Sequence, residues 1–128
     1  MKLLLDTHIL LWSAGQPDKL SDEARSLLLD TSNLLFFSAA SIWEIVIKRA
    51  LGRDDFKVDP QRLLKQLVIN GYEEIAVSSD HALVVEALPA LHKDPFDRIL
   101  IAQARVEGMQ LLTSDCQVSL YGDGIISV

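Results

Sequence analysis

A chain of 128 residues fits one domain and can bury a single hydrophobic core; 49% of it is apolar, so most segments should be covered on at least one side. No apolar run approaches the roughly 20 residues needed for a helical membrane span, and the single Cys116 excludes an internal disulfide and fits a reducing cytoplasm. A net charge of −6 argues against nucleic-acid binding by general electrostatics, which needs clustered Lys and Arg, unless a bound divalent cation supplies positive charge locally.

In chain order, "KLLL" (2–5) reads as a buried strand and "ILLWSAG" (9–15) as a helix or turn. The N-terminal stretch has a Lys and several leucines, but Asp6 interrupts it and no small-residue cleavage site follows, so it is not expected to be a signal peptide. "SDEARSLLLD" (21–30) is helical with Ser21 as N-cap. "NLLFFSA" (33–39) is a second strand and "SIWEIVIKRALG" (41–52) a helix closed by Gly52. In "DPQRLLKQLVING" (59–71), Asp59 caps, Pro60 takes the first helical position and Gly71 lies past the end. "EEIAVS" (73–78) is a third strand, and "SDHALVVEALPAL" is helical until Pro89. "PFDRILIAQARVEG" is a helix ended by Gly108, and "QLLTS" and "GIISV" supply a fourth and a fifth strand. Apolar strands alternating with helices predict an α/β fold whose parallel sheet is covered on both faces.

In such sheets ligands collect outside the carboxyl ends of the strands. Asp6 follows the first strand and Asp115 the fourth. Glu44 lies in the first turn of the helix after strand two, and Asp97 in the first turn of the helix before strand four. Connectivity allows all of them to converge on one rim. Like charges at ~4 Å in an effective dielectric of ~20 repel by on the order of 4 kcal/mol, so such a cluster must take up protons or bind cations. Oxygen-only ligands point to a hard ion, Mg²⁺ or Mn²⁺, and such ions suit phosphoryl chemistry by activating water and stabilising the leaving oxygen.

Each acid also has a structural explanation. Ser41-Ile-Trp-Glu44 is a capping-box pattern. Asp94 can cap its helix ahead of Pro95, with Asp97 favoured by the helix dipole. Asp6 and Asp115 can cap whatever follows their strands. On spacing alone, caps and a metal site both stay open. Of the remaining residues, His8 reads as a half-buried side chain beside a helix start, His81 and His92 as surface residues, and Trp12 and Trp43 as core or subunit-interface residues. Thr113 stands near Asp115, where its hydroxyl could hold a metal-bound water or simply end the strand. Lys48, Arg49, Arg53, Lys93 and Arg98 are the candidates for contacting phosphates, with Lys48, Arg98 and Thr113 taken as substrate-binding.

"LLLDTHILLW", "SAASIWEIVIK", "HKDPFDRILIAQA" and "LLTSD" occur together and in this order. The series resembles the PIN-domain nucleases, and within them the VapC-type toxins of bacterial toxin–antitoxin pairs, over nearly the whole chain. The resemblance implies a single PIN domain over 1–128: an α/β/α sandwich with a central parallel sheet of about five strands. It implies Mg²⁺ or Mn²⁺ bound by Asp6, Glu44, Asp97 and Asp115, which also carry catalysis, with Thr113 at the family's hydroxyl position. Asp94 matches a position typical of this subgroup but is not one of the core acids. The implied activity is an endoribonuclease cleaving RNA phosphodiesters with metal-activated water. The implied partners are a homodimer mate and a small cognate antitoxin whose tail fills the acidic groove.

Other readings fit less well. A phospho-acceptor receiver domain needs an acidic pair after strand one and a Lys near the last strand, yet Asp6 stands alone and no Lys follows Lys93. A dehalogenase-like phosphatase needs Asp-x-Asp where this chain has Asp6-Thr-His8. A non-catalytic α/β binding module, its acids only capping helices, is the main alternative.

Overall fold

Leu3, Leu4 and Leu5 are wholly buried at the centre of a five-stranded, all-parallel sheet of order β3-β2-β1-β4-β5. The computed structural model describes residues 1–128. The strands are β1 (Lys2–Leu5), β2 (Leu34–Ser38), β3 (Glu73–Ile75), β4 (Gln110–Thr113) and β5 (Ile125–Ser127). The helices are α1 (Thr7–Gly15), α2 (Asp22–Leu29), α3 (Ala39–Ala50), α4 (Pro60–Ile69), α5 (Ser79–Ala87), α6 (Pro95–Glu107) and the single turn α7 (Cys116–Ser119). Short 3₁₀ turns occupy Pro17–Lys19 and Asp54–Phe56.

The two-residue period of the strands splits the core into layers. Leu3 and Leu5 of β1, Phe37 of β2 and Leu112 of β4 face one side, against Ile9 and Leu10 of α1, Ile45 of α3 and Leu63 and Leu67 of α4. Leu4, Phe36 and Leu111 face the other side, against Leu100, Ile101 and Ala104 of α6. The result is the expected α/β/α sandwich. A buried Leu of this kind contributes about 1.5–3 kcal/mol.

Two expectations need correction. β3 is not apolar throughout: Glu73 and Glu74 are exposed, because β3 is a sheet edge, where charge discourages pairing with another chain. The helix after β2 starts earlier than Ser41. Ser38 is its N-cap, accepting from the Ala40 amide at 3.0 Å, so the Ser41–Glu44 capping box is not formed. Ser41 is instead buried, and its hydroxyl accepts from Thr7 Oγ1 at 3.0 Å.

The caps of α4 and α6 are as expected: Asp59 and Asp94 accept from the amides of Gln61 and Phe96, each with a proline next in sequence. α6 ends at Gly108, whose φ of 67° is left-handed and open to glycine without strain.

Candidate active site

β1, β2 and β4 end on one rim, and α1, α3 and α7 start from it. Asp6, directly after β1, is the N-cap of α1: Oδ1 accepts from the His8 amide at 2.8 Å. Its Oδ2 accepts from Thr113 Oγ1 at 2.5 Å, and the residue is only 4% exposed. Burial pushes the Asp6 carboxyl up, against the lowering effect of these hydrogen bonds.

Glu44 is 3% exposed. Its Oε2 accepts from Lys48 Nζ at 2.5 Å, one helical turn on, while Oε1 is buried without any hydrogen-bond partner. Lys48 Nζ also lies 3.6 Å from Asp94 Oδ2 and over the rings of Phe56 and Phe96. The ammonium therefore sits inside the acidic cleft as a counter-ion.

Asp97, in the first turn of α6, is pushed up to about 8, first by burial and then by the charges of Asp6, Asp94, Glu44 and Asp115. A carboxyl that senses all four of those charges lies among them. Asp115 follows β4, and its Oδ1 accepts from the Gln117 amide at 2.8 Å. The structure thus brings Asp6, Glu44, Asp97 and Asp115 together, with Thr113 and Lys48 between them.

Two expected substrate contacts are placed differently. Thr113 is fully buried, and its hydroxyl donates to Asp6 while accepting the Asp115 amide at 3.0 Å. It positions the acids and has no free face for substrate. Arg98 turns away from the cleft: Nη1 donates to Pro89 O at 2.9 Å and Tyr121 Oη at 3.1 Å, and Nη2 to Val85 O at 3.0 Å. Its fork is committed to the last turn of α5, the loop that follows it and the Tyr121 hydroxyl.

His92 is not a surface residue. Its side chain is 13% exposed, and Nε2 stands 2.8 Å from Asp97 Oδ2 and 3.5 Å from Asp115 Oδ2. His92 Nε2 and oxygens of Asp97 and Asp115 fall within 4.8 Å of one another. Nδ1 accepts from the Asp94 amide at 3.3 Å, which leaves the proton of a neutral ring on Nε2, facing the carboxylates. His92 thus lines the cleft beside two of its acids, with Nε2 buried and without a hydrogen-bond partner. The signal was in the sequence: His92 precedes the cap Asp94 by two residues, on a segment stiffened by Pro95. His81 is also buried, at 2%; Nδ1 accepts from the Ser78 amide and Nε2 lies 2.8 Å from Glu107 Oε1, tying α5 to α6.

The donor set fits a hard divalent cation. Glu44 Oε1 is an orphaned buried acceptor, and burial, followed by the charges of its neighbours, raises the Asp97 carboxyl; a cation among these oxygens relieves both. This combination, on the rim of a five-stranded parallel sheet, defines an α/β domain with a carboxylate-lined cleft. Over residues 3–122 the sequence matches the PIN domain, and the chain belongs to that family.

Similar proteins include Ribonuclease VapC22 of Mycobacterium tuberculosis, 28% identical over 114 residues that cover 88% of this chain and 86% of that one. Among solved structures, the fold is similar to VapBC2 from Rickettsia felis bound to a promoter DNA fragment, with a TM-score of 0.70 and 17% identity over 100% of this chain and 98% of that one. VapBC-1 from nontypeable Haemophilus influenzae superposes with a TM-score of 0.66 and 17% identity, over 100% and 97% of the two chains. A toxin–antitoxin complex from Klebsiella pneumoniae gives 0.61 and 22%, over 98% and 96%.

Proposed function

We propose that this chain is a metal-dependent endoribonuclease and the toxin half of a toxin–antitoxin pair. The observation that carries this is the pair Glu44 and Asp97. Asp6, Asp94 and Asp115 do cap helices, as a bland reading would have it. Glu44 and Asp97 cap nothing, yet both are held in the cleft at an electrostatic cost, with one oxygen orphaned and one carboxyl raised to about 8. A fold maintains such a cost where function needs it. That is the argument against a binding module whose acids only cap.

Asp6, Glu44, Asp97 and Asp115 would hold the ion, Mg²⁺ or Mn²⁺. When bound, it supplies Lewis acidity at the scissile phosphate and a lowered pKa to the attacking water. The chain's own contribution is positional. Thr113 and the His8 amide fix Asp6, and His92 faces Asp97 and Asp115. Lys48 neutralises Glu44 and stands ready to meet phosphate charge. No side chain in the cleft is placed as a protein nucleophile.

The similarity to Ribonuclease VapC22 and to VapBC complexes supports the toxin reading and an antitoxin partner. The cleft would attract a basic antitoxin side chain in place of the cation. The exposed apolar surface around Trp43 and Val46, with Phe96 beside it, supports a homodimer. No helix is long and apolar enough to cross a membrane. The proposed setting is the cytoplasm, and the proposed unit is one PIN domain over 1–128.

The test is cleavage of an end-labelled, mixed RNA pool by purified antitoxin-free protein with Mg²⁺, Mn²⁺ or chelator, beside Asp97→Asn. Metal-dependent cleavage lost in the variant is expected. Absence of cleavage together with absence of Mn²⁺ binding returns the acids to capping alone.

A further inference from the structure

Half of the basic residues fall on one short stretch. Lys48, Arg49, Arg53, Lys57, Arg62 and Lys65 lie within residues 48–65, with only Asp54, Asp55 and Asp59 against them. This segment carries +3, whereas the remaining six cations and fifteen acids leave the rest of the chain at −9. In a protein of net charge −6, that asymmetry makes this segment the part of the chain an anionic polymer approaches most readily.

The near end of this segment touches the cleft. Lys48 Nζ and the Arg53 guanidinium lie 5.0 and 5.6 Å from the centroid of the buried Phe56 ring, so the two cations flank one side chain. Beyond them, the Asp55 carboxylate accepts from Arg53 Nε at 3.2 Å and Nη2 at 3.0 Å, and its Oδ2 lies 3.3 Å from His8 Nε2. The His8 ring packs against Trp12 and Phe56, with centroids 5.9 and 5.3 Å apart, while its amide holds Asp6. The Arg53, His8 and Asp55 side chains are 51, 39 and 42% exposed, so this grip faces solvent.

A planar guanidinium takes a phosphate by the same two-pronged contact it makes to a carboxylate. We propose that Arg53 and His8 form the subsite for a phosphate adjoining the cleavage position on a single-stranded RNA, and that Asp55 occupies this subsite in the free chain as an internal stand-in. The inference rests on the ribonuclease reading and extends it. An exposed ion pair is weakly held, so incoming phosphate displaces Asp55 at little cost and leaves it in water. RNA is favoured over an acidic protein segment because Trp12 and His8 place aromatic rings beside the cations, where an unpaired base can stack. The His8 amide also ties the subsite directly to Asp6, so a strand held there passes the cleft.

The stand-in gives the test two signs. Binding of an end-labelled, random-sequence single-stranded RNA pool is measured by fluorescence anisotropy with Ca²⁺ in place of Mg²⁺, over a range of salt. The unaltered chain is compared with Arg53→Ala, Asp55→Ala and Lys2→Ala, a cation at the opposite end of β1 from Asp6. Arg53→Ala should weaken binding about tenfold, as for loss of a charge-assisted contact, and lower the salt slope by about 0.7. Asp55→Ala should tighten binding several-fold, and Lys2→Ala should leave it unchanged. Thermal midpoints check that each variant is folded. If Asp55→Ala weakens binding as Arg53→Ala does, or changes nothing, the stand-in is wrong. If Arg53→Ala matches the unaltered chain while that chain still cleaves RNA, the subsite is wrong and the ribonuclease reading stands. If the unaltered chain neither binds nor cleaves RNA, both fall together.

Discussion

Thr113 donates its hydroxyl proton to Oδ2 of Asp6, a residue 107 positions away in sequence. The parallel pairing of Leu5 with Leu112 makes this possible, because Asp6 and Thr113 then follow as neighbours at the ends of the two strands. The same hydroxyl oxygen accepts the Asp115 amide at 3.0 Å. One buried group therefore fixes two acids of the cleft and joins the ends of the two central strands.

Thr113→Val keeps the shape and removes the hydroxyl. It removes the partner of one buried carboxylate oxygen and of the part-buried Asp115 amide, and should lower stability by about 1–3 kcal/mol. Thr113→Ser should restore most of that. The denaturant midpoint of each variant decides, and equal midpoints for Val and Thr would mean the bond contributes nothing.

Asp97 gives a pH dependence of unusual sign. Its carboxyl is raised from 3.8 to about 8, by burial first and by Asp6, Asp94, Glu44 and Asp115 next. The fold therefore favours the protonated acid. Between those values the unfolded chain has released the proton and the folded chain retains it, so stability falls as pH rises. Burial raises Asp6 too, and it acts in the same direction. With chelator present, the thermal midpoint should decline steadily across that window. Asp97→Asn should flatten the decline and raise the midpoint at its alkaline end, and Mg²⁺ or Mn²⁺ should do the same for the unaltered chain by binding the folded state. A midpoint that climbs from acid to neutral pH would contradict the burial of Asp97.

What the sequence made legible was local or periodic. The cap Asp94 ahead of Pro95, the apolar period of α6 and its stop at Gly108 are all within one segment, and the alternation of apolar strands with helices is enough for the sandwich. The start of α3 is ambiguous in the sequence because Ser38 and Ser41 can each cap a helix, and only the end of β2 decides between them. The places of His92 and Arg98 are hidden in the sequence for a different reason. Their partners, Asp115 and Tyr121 among them, lie far along the chain, and a basic residue near an acidic motif looks the same whether it faces phosphate or carbonyls.

His92 sets up a separate expectation. Its Nε2 faces Asp97 and Asp115 at 2.8 and 3.5 Å, so its loss frees carboxylates that a cation must find in place. Loss of a residue that orients metal ligands commonly costs about 10–100-fold in metal affinity. His92→Ala should weaken Mn²⁺ binding on that scale, read by the free Mn²⁺ signal in electron paramagnetic resonance. Unchanged affinity would make the histidine a packing residue only.

Arg98→Ala should be a stability variant and not a binding one. It leaves the carbonyls of Val85 and Pro89 and the Tyr121 hydroxyl without their shared donor, a loss of about 1–3 kcal/mol. Arg98→Lys should not rescue it, since a single ammonium cannot span donors spread over a planar fork. Mn²⁺ affinity measured well below the melting range should stay at the unaltered value. A fall in RNA binding without a fall in stability would restore Arg98 to the substrate contacts.

Lys48 is the one cation inside the cleft, and its removal separates two roles. Burial pulls its pKa down, but the hydrogen bond and charge of Glu44, helped by Asp94, outweigh that and raise it, so the ammonium is firmly charged. Lys48→Met preserves the apolar stem against Phe56 and Phe96 and deletes the charge. Glu44 is then left buried with neither oxygen paired. The metal-free chain should lose on the order of 1–3 kcal/mol. The vacated charge should make the site more receptive, so the rise in thermal midpoint on adding Mg²⁺ should be larger in Lys48→Met than in the unaltered chain. RNA cleavage should nonetheless fall, because the ammonium no longer meets the phosphate. A smaller Mg²⁺ response in the variant would mean instead that Lys48 holds Glu44 in the geometry the ion requires, and that its charge is a part of the site and not a placeholder for the metal.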